Sequence, residues 1–176
     1  MTIPSTIVIG FGNPGRLDDG LGPALAERIA ADALDGVTAT TDYQLNIEHA
    51  AEIAAHDRAI FVDASAAGDQ PCFLRRLLPR PGASFSTHAV APEAIIALAE
   101  QALGWRGEAY LLGVRGVDFD GFGERLSPPA RANLETAAAV LLDALRRSRL
   151  ADATTDGPIC DSLLLRNSEP CNATSP

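Results

Sequence analysis

The sequence predicts an α/β fold: a single three-layer domain whose twisted, mostly parallel sheet of about five strands carries helices on both faces. Three observations predict it. Short β-branched runs alternate with segments of helical period along most of the chain. The 176 residues, 47% of them hydrophobic, suffice for one domain and are too few for two. A glycine-rich turn follows the first apolar run and leads into the first helical segment, the order that a strand, loop and helix require.

The elements follow in order. "STIVIG" (5–10) reads as a strand, and "DDGLGPALAERIAADAL" (18–34) as a helix with Leu21, Leu25 and Ile29 near one face. "GVTATTDY" (36–43) is the next strand, "NIEHAAEIAAH" (46–56) a helix with Asn46 as its cap, and "RAIFVDAS" (58–65) a buried strand whose apolar run stops at Asp63. "CFLRRLLP" (72–79) suits an edge strand, because two arginines and flanking prolines fit an exposed border better than a sheet centre. "GASFSTHAVA" (82–91) reads as a loop and "PEAIIALAEQAL" (92–103) as a helix with Pro92 in its first turn. "EAYLLGVRG" (108–116) is a strand, and 126–147 forms a final amphipathic helix capped by Ser127. If the first three strands take the common order 2-1-3, strands one and three are neighbours and the carboxylates that follow them face each other across the switch point. The domain is expected to span 1–149; beyond it Pro, Ser, Thr and Asp replace the periodicity, so 150–176 reads as a flexible tail.

Composition excludes several classes of function. Fourteen basic residues, all arginine, against 23 acidic ones give a net charge of −9, which repels nucleic acid and anionic membrane surfaces. Cys72, Cys160 and Cys171 form no CxxC pair, so neither a zinc cluster nor a disulfide framework is indicated and a reducing cytoplasm is expected. The N-terminal apolar run "IVIG" is too short for an export signal or a membrane span.

The run "GFGNPGRLDDGLG" (10–22) satisfies GxGxxG, the pattern of a dinucleotide site. Its chemistry argues against one. Pro14 removes an amide, and Asp18 and Asp19 stand at the helix entrance; a carboxylate about 4 Å from a phosphate charge costs roughly 4 kcal/mol near a protein surface. A cation suits the loop better. In an open parallel sheet the carboxyl ends of the strands form the ligand crevice, and Asp19, Asp63 and His88 all follow or end strands there. Two carboxylates and an imidazole with open positions suit a divalent transition metal such as nickel or zinc. Each residue also has a plainer reading: Asp19 suits the helix dipole, Asp63 could be solvated or paired, and His88 could be a hydrogen-bonded loop histidine. Asp18 reads as a cap, Glu48 as a helix-dipole acid, and His49 and His56 as solvated or capping residues of the second helix, with no role assigned.

On these residues the chain resembles the hydrogenase maturation proteases, whose first motif is G-x-G-N, four residues, then D-[DE]-G-x-G. It stands here as Gly10, Gly12, Asn13, Asp18, Asp19, Gly20 and Gly22 with unchanged spacing. "YQLNIEHA" and "VRGVDFDGFGERLSPPARANLETA" also look like family segments, so the likeness covers about 5–147. Glutamate is common in the family where Asp19 stands. The resemblance implies a phosphorylase/hydrolase-like three-layer fold and an endopeptidase that removes the C-terminal extension of the large-subunit precursor of a nickel-iron hydrogenase. It further implies that Asp19, Asp63 and His88 contact nickel supplied by the precursor, with no nucleotide cofactor. Either the nickel polarises the scissile carbonyl and activates water, or it positions the peptide while a carboxylate acts as base. The partner is the precursor alone, and a monomer is expected. Peptidyl-tRNA hydrolase is the rival family, matched by "GNPG" at 12–15, yet "RLDDGLG" supplies neither the histidine nor the asparagine that chemistry needs. A non-catalytic nucleotide-binding module is the third reading, and it leaves Asp63 and His88 unemployed.

Overall fold

The computed structural model describes residues 4–68, 71–81, 85–86 and 89–151. The chain runs β1 (Thr6–Phe11), a single 3-10 turn (Leu17–Gly20), α1 (Leu21–Ala31), β2 (Val37–Asp42), α2 (His49–Ala54) and β3 (Arg58–Ser65). It continues through β4 (Cys72–Leu77), β5 (Phe85–Ser86), β6 (Ala89–Val90), α3 (Pro92–Leu103), β7 (Glu108–Arg115) and α4 (Pro128–Arg146). Five strands form one sheet in the order β2-β1-β3-β7-β4, and β5 pairs with β6 in a small hairpin. The neighbours β2, β1, β3 and β7 are parallel, and the edge strand β4 runs antiparallel to β7. The strand order meets the 2-1-3 condition, and the arginine-bearing strand is at the edge as expected.

Alternation along each strand divides the core into two layers. Val8, Ile60, Val62, Tyr110, Leu112 and Val114 face α1 and α4, where Leu25, Ile29 and Leu141 meet them. Ile7, Ile9, Ala59 and Phe61 face the other way, onto Ile53 of α2, Ile95 and Ile96 of α3, and Trp105. A parallel strand covered on both faces reads as a continuous apolar run, which is why "IVI" and "AIFV" carry no polar alternation. Leu150, just past α4, is buried in the first layer.

Three sequence expectations are modified. The helix expected over 46–56 is confined to α2, because Asn46 is used in a turn ahead of it: Asn46 Oδ1 accepts the Glu48 N–H at 3.1 Å. The first helix expected from residue 18 opens as the 3-10 turn and becomes α-helical only at Leu21. The loop expected over 82–91 contains β5 and β6, strands of two residues each, too short to leave a periodic signal. The tail expected from residue 150 lies, beyond Ala151, outside the described residues.

Candidate active site

Because β1, β2, β3 and β7 are parallel, Phe11, Asp42, Ser65 and Arg115 all end at one edge of the sheet. β1 lies between β2 and β3, so the chain leaving β1 enters the crevice of a topological switch point. Gly10 and Gly22 let α1 close on the strand ends. A Cβ on Gly22 would overlap the carbonyl oxygens of Phe11 and Val62, and one on Gly10 would overlap the Gly22 carbonyl. Gly12 has φ +137°, and a Cβ there would collide with the carbonyl oxygen of Asp19. The glycine spacing is therefore the spacing at which the 3-10 turn can fold back over β1.

The amides of this loop are already committed. Gly12 N–H donates to the Asp42 carbonyl (3.2 Å), Arg16 N–H to Asn13 O (3.0 Å), Leu17 N–H to Gly123 O (3.0 Å), Asp18 N–H to Asp118 O (3.0 Å) and Asp19 N–H to Arg16 O (3.2 Å). Asn13 N–H donates to Asp19 Oδ2 at 2.9 Å and Gly15 N–H to Asn13 Oδ1 at 2.8 Å. Pro14 has no amide to offer. A phosphate cradle depends on free N–H groups converging on the ligand, and between Gly12 and Asp19 every N–H serves the protein itself.

Asp19 is half-buried, its carboxylate turned back toward the end of β1 by the Asn13 amide. Asp63 ends the apolar run of β3, where Gly10 pairs with Val62, so the next step along both strands sets Asp63 beside Phe11. Burial pushes the Asp63 carboxyl up to about 6; the Ala64 N–H at 2.8 Å opposes the shift, and the neighbouring Asp19 charge adds to it. The structure thus brings together two of the three expected site residues. A pair of mutually repelling carboxylates in a partly dehydrated crevice is the arrangement a cation relieves. His88 lies outside the described residues; α3, which follows it in the chain, covers the face on which Asp63 sits. Among the described residues no group of three or more His, Cys, Asp or Glu side chains is spaced to hold a metal ion.

No family model matches the chain. The hydrogenase expression/formation protein HoxM of Azotobacter vinelandii is 30% identical over 165 residues, which span 89% of this chain and 80% of that protein. The chain belongs to the hydrogenase maturation protease family. Solved structures share the fold of this hydrogenase maturation protease. The [NiFe] hydrogenase maturation protease HycI of Thermococcus kodakarensis KOD1 matches with TM-score 0.66 and 23% identity, over 81% of this chain and 94% of that one. The hydrogenase maturating endopeptidase HYBD of E. coli matches with TM-score 0.62 and 21% identity, over 81% of this chain and 93% of that one. The membership makes the chain a peptidase and decides against both the peptidyl-tRNA hydrolase and the nucleotide-module readings.

Two residues of the protease act otherwise than their sequence setting suggests. Asp18, expected as a cap, is fully buried and ties the glycine loop to the segment between β7 and α4. Its Oδ2 accepts from Val117 N–H (2.8 Å), Asp118 N–H (2.9 Å) and Ser127 Oγ (2.7 Å), and its Oδ1 from Ser127 N–H (2.7 Å). Burial pulls the Asp18 carboxyl up, but these bonds together outweigh it and hold the group below the ordinary aspartate value. His49, expected to be solvated or to cap the helix, is only 3% exposed, with Nδ1 3.1 Å from Asn46 N just ahead of α2. His56, by contrast, is exposed at the end of α2 with Nδ1 2.8 Å from Glu52 O, as a capping residue would be. No described helix is long and apolar enough to cross a membrane.

Proposed function

We propose that this peptidase removes the C-terminal extension of the nickel-loaded large-subunit precursor of a nickel-iron hydrogenase, and that Asp19, Asp63 and His88 contact the nickel carried by that precursor. The observation that carries the reading is the meeting of Asp19 and Asp63 at the switch-point crevice of a chain in this family. Nickel here is part of the substrate. The protein's own contribution is a half-built coordination set: Asn13 N–H orients Asp19, the end of β3 fixes Asp63, and the glycine loop keeps the two close. An imidazole, added by His88, would complete a donor set of two oxygens and one nitrogen that suits nickel.

The repulsion between the two carboxylates supports selection for loaded substrate. With no cation present the pair disfavours full ionisation, so a metal-free precursor gains nothing from approaching it. With a divalent ion both carboxylates bind in their charged forms, which anchors the precursor with its scissile bond over the crevice. The reading includes a monomer working in the cytoplasm, in keeping with a small acidic protein acting on a larger partner without nucleic acid or membrane.

The test is to mix the protein with nickel-loaded and nickel-free precursor and follow the precursor's electrophoretic mobility. Shortening of the loaded form alone is expected, and its loss in folded Asp19→Ala and His88→Ala variants. Equal shortening of both forms would overturn the nickel reading, and full processing by both variants would overturn the site assignment.

A further inference from the structure

Three strands deliver side chains to one face of the site edge. Phe11 pairs with Asp42 on one side, and on the other Asp63 follows the last β1–β3 pair, Gly10–Val62, by one step. The residues of matching parity, Ile9 and Phe61, belong to the core under α2 and α3, so Asp42, Phe11 and Asp63 form a row on that face. With strands about 4.8 Å apart, the Cα atoms of Asp42 and Asp63 are about 10 Å from each other.

The Asp42 carboxylate is held from one side and open on another. Oδ1 accepts the Tyr43 N–H at 2.6 Å, Oδ2 accepts from Asn46 Nδ2 at 3.0 Å, and His49 Nε2 lies 3.8 Å from Oδ2. The Asp42 side chain nevertheless keeps 36% exposure. His49 Nδ1 lies 3.1 Å from Asn46 N and 3.2 Å from Asn46 O, so either tautomer of the ring finds a partner there. The Asp42 side discriminates between them: the tautomer protonated at Nε2 turns its proton toward the carboxylate, whereas the other sets a lone pair against a negative charge. At 3.8 Å this is a close approach and not a hydrogen bond, and a buried ring at that distance is placed to limit how the half-open acid turns.

We propose that Asp42 is the proton acceptor of the peptide hydrolysis and that His49 is its positioning residue. The proposal rests on Asp19 and Asp63 contacting the precursor's nickel. Their lone pairs are then taken up by the cation, and Asp42 is the carboxylate in the row left free to accept a proton. As the water oxygen bonds to the scissile carbonyl carbon, one water O–H bond breaks and its proton passes to Asp42. The C–N bond then breaks, the proton moves from Asp42 to the leaving nitrogen, and the products are a carboxyl terminus and an amine. Asp42 ends as the carboxylate it began as, so no other reactant is consumed.

Kinetics on nickel-loaded precursor test this. Asp42→Asn should lower kcat by about 10²–10⁴-fold, the range for loss of a general base, with KM nearly unchanged. Asp42→Glu should recover part of the loss. His49→Gln should lower kcat about tenfold, the scale for a group that orients a reacting side chain, and should add nothing in the Asp42→Asn background. Full kcat in folded Asp42→Asn, or a loss confined to KM, would overturn the role of Asp42. An equal fall from His49→Gln in both backgrounds would reduce His49 to a packing residue and overturn its part. Retained capture of the loaded precursor by Asp42→Asn, and its loss in Asp19→Ala, separates this proposal from the nickel reading: if Asp19→Ala still captures the precursor, that reading has failed instead.

Discussion

Removing the Asp18 carboxylate should cost the fold more than any other single change in the glycine loop. The group is fully buried and receives four hydrogen bonds from three residues that lie 99 to 109 positions away in the chain. In Asp18→Ala the amides of Val117, Asp118 and Ser127 and the Ser127 hydroxyl lose their acceptor; at about 1 kcal/mol for each stranded donor the loss is about 4 kcal/mol. Asp18→Asn keeps one acceptor oxygen but turns an NH₂ group toward other donors, so a loss of about 2–3 kcal/mol follows. Urea denaturation reads both, as a fall in midpoint at unchanged slope. The pH dependence supplies an independent check. Asp18 has its pKa lowered by folding, so its stabilisation is fully present above the unfolded value of 3.8 and is lost as pH falls through the lower folded value. The gap between wild type and Asp18→Asn should therefore narrow in acid and be constant above about pH 5. A loss below about 0.5 kcal/mol in Asp18→Ala, the scatter of ordinary surface changes, or a gap that widens in acid, would refute the reasoning.

Two further outcomes follow from the site. Gly12→Ala places a Cβ against the Asp19 carbonyl at φ +137°, so it should lower stability by about 2 kcal/mol or more and abolish processing together; unchanged thermal stability would show that the loop has room to yield. For Asp63, raised from 3.8 to about 6, ionisation opposes folding, and the penalty grows as pH rises from the unfolded value through the folded one. Asp63→Asn should match wild type near pH 3 and exceed it by about 2–3 kcal/mol above pH 6 in metal-free protein, while losing processing. Chemical denaturation at both pH values decides, and equal stability at pH 7 would remove the claimed strain.

The sequence announced most of the sheet because burial on both faces leaves an unmistakable trace: "IVI" and "AIFV" can only be satisfied between two helical layers. Arg75 and Arg76 likewise marked β4 as a border, and both remain largely exposed there. That Asp19 and Asp63 meet at the sheet edge was legible because each sits where an apolar strand reaches the crevice. Asp18 and His49 were not. The partners of Asp18 are roughly a hundred residues away, and nothing local distinguishes a buried acid from a cap. His49 was misread because α2 is a helix of six residues preceded by a turn, and a face cannot be assigned from so short a period. Its neighbours Asn46, in the turn, and Asp42, at the end of β2, lie outside the helix.

The glycine loop brings these strands of argument together. Glycines near a strand end serve two different purposes: they expose amides to an anion, or they let backbone approach backbone. The structure assigns this loop to the second. Gly10 and Gly22 sit where α1 presses on β1 and β3, and Gly12 where the chain passes under Asp19, while the N–H groups from Gly12 to Asp19 are spent internally. What the close approach achieves is electrostatic. It holds the Asp19 carboxylate near Asp63, in a protein that already carries a net charge of −9. Such a pair is relieved by a proton or by a cation, and on the proposed reading the cation is the nickel that the substrate brings.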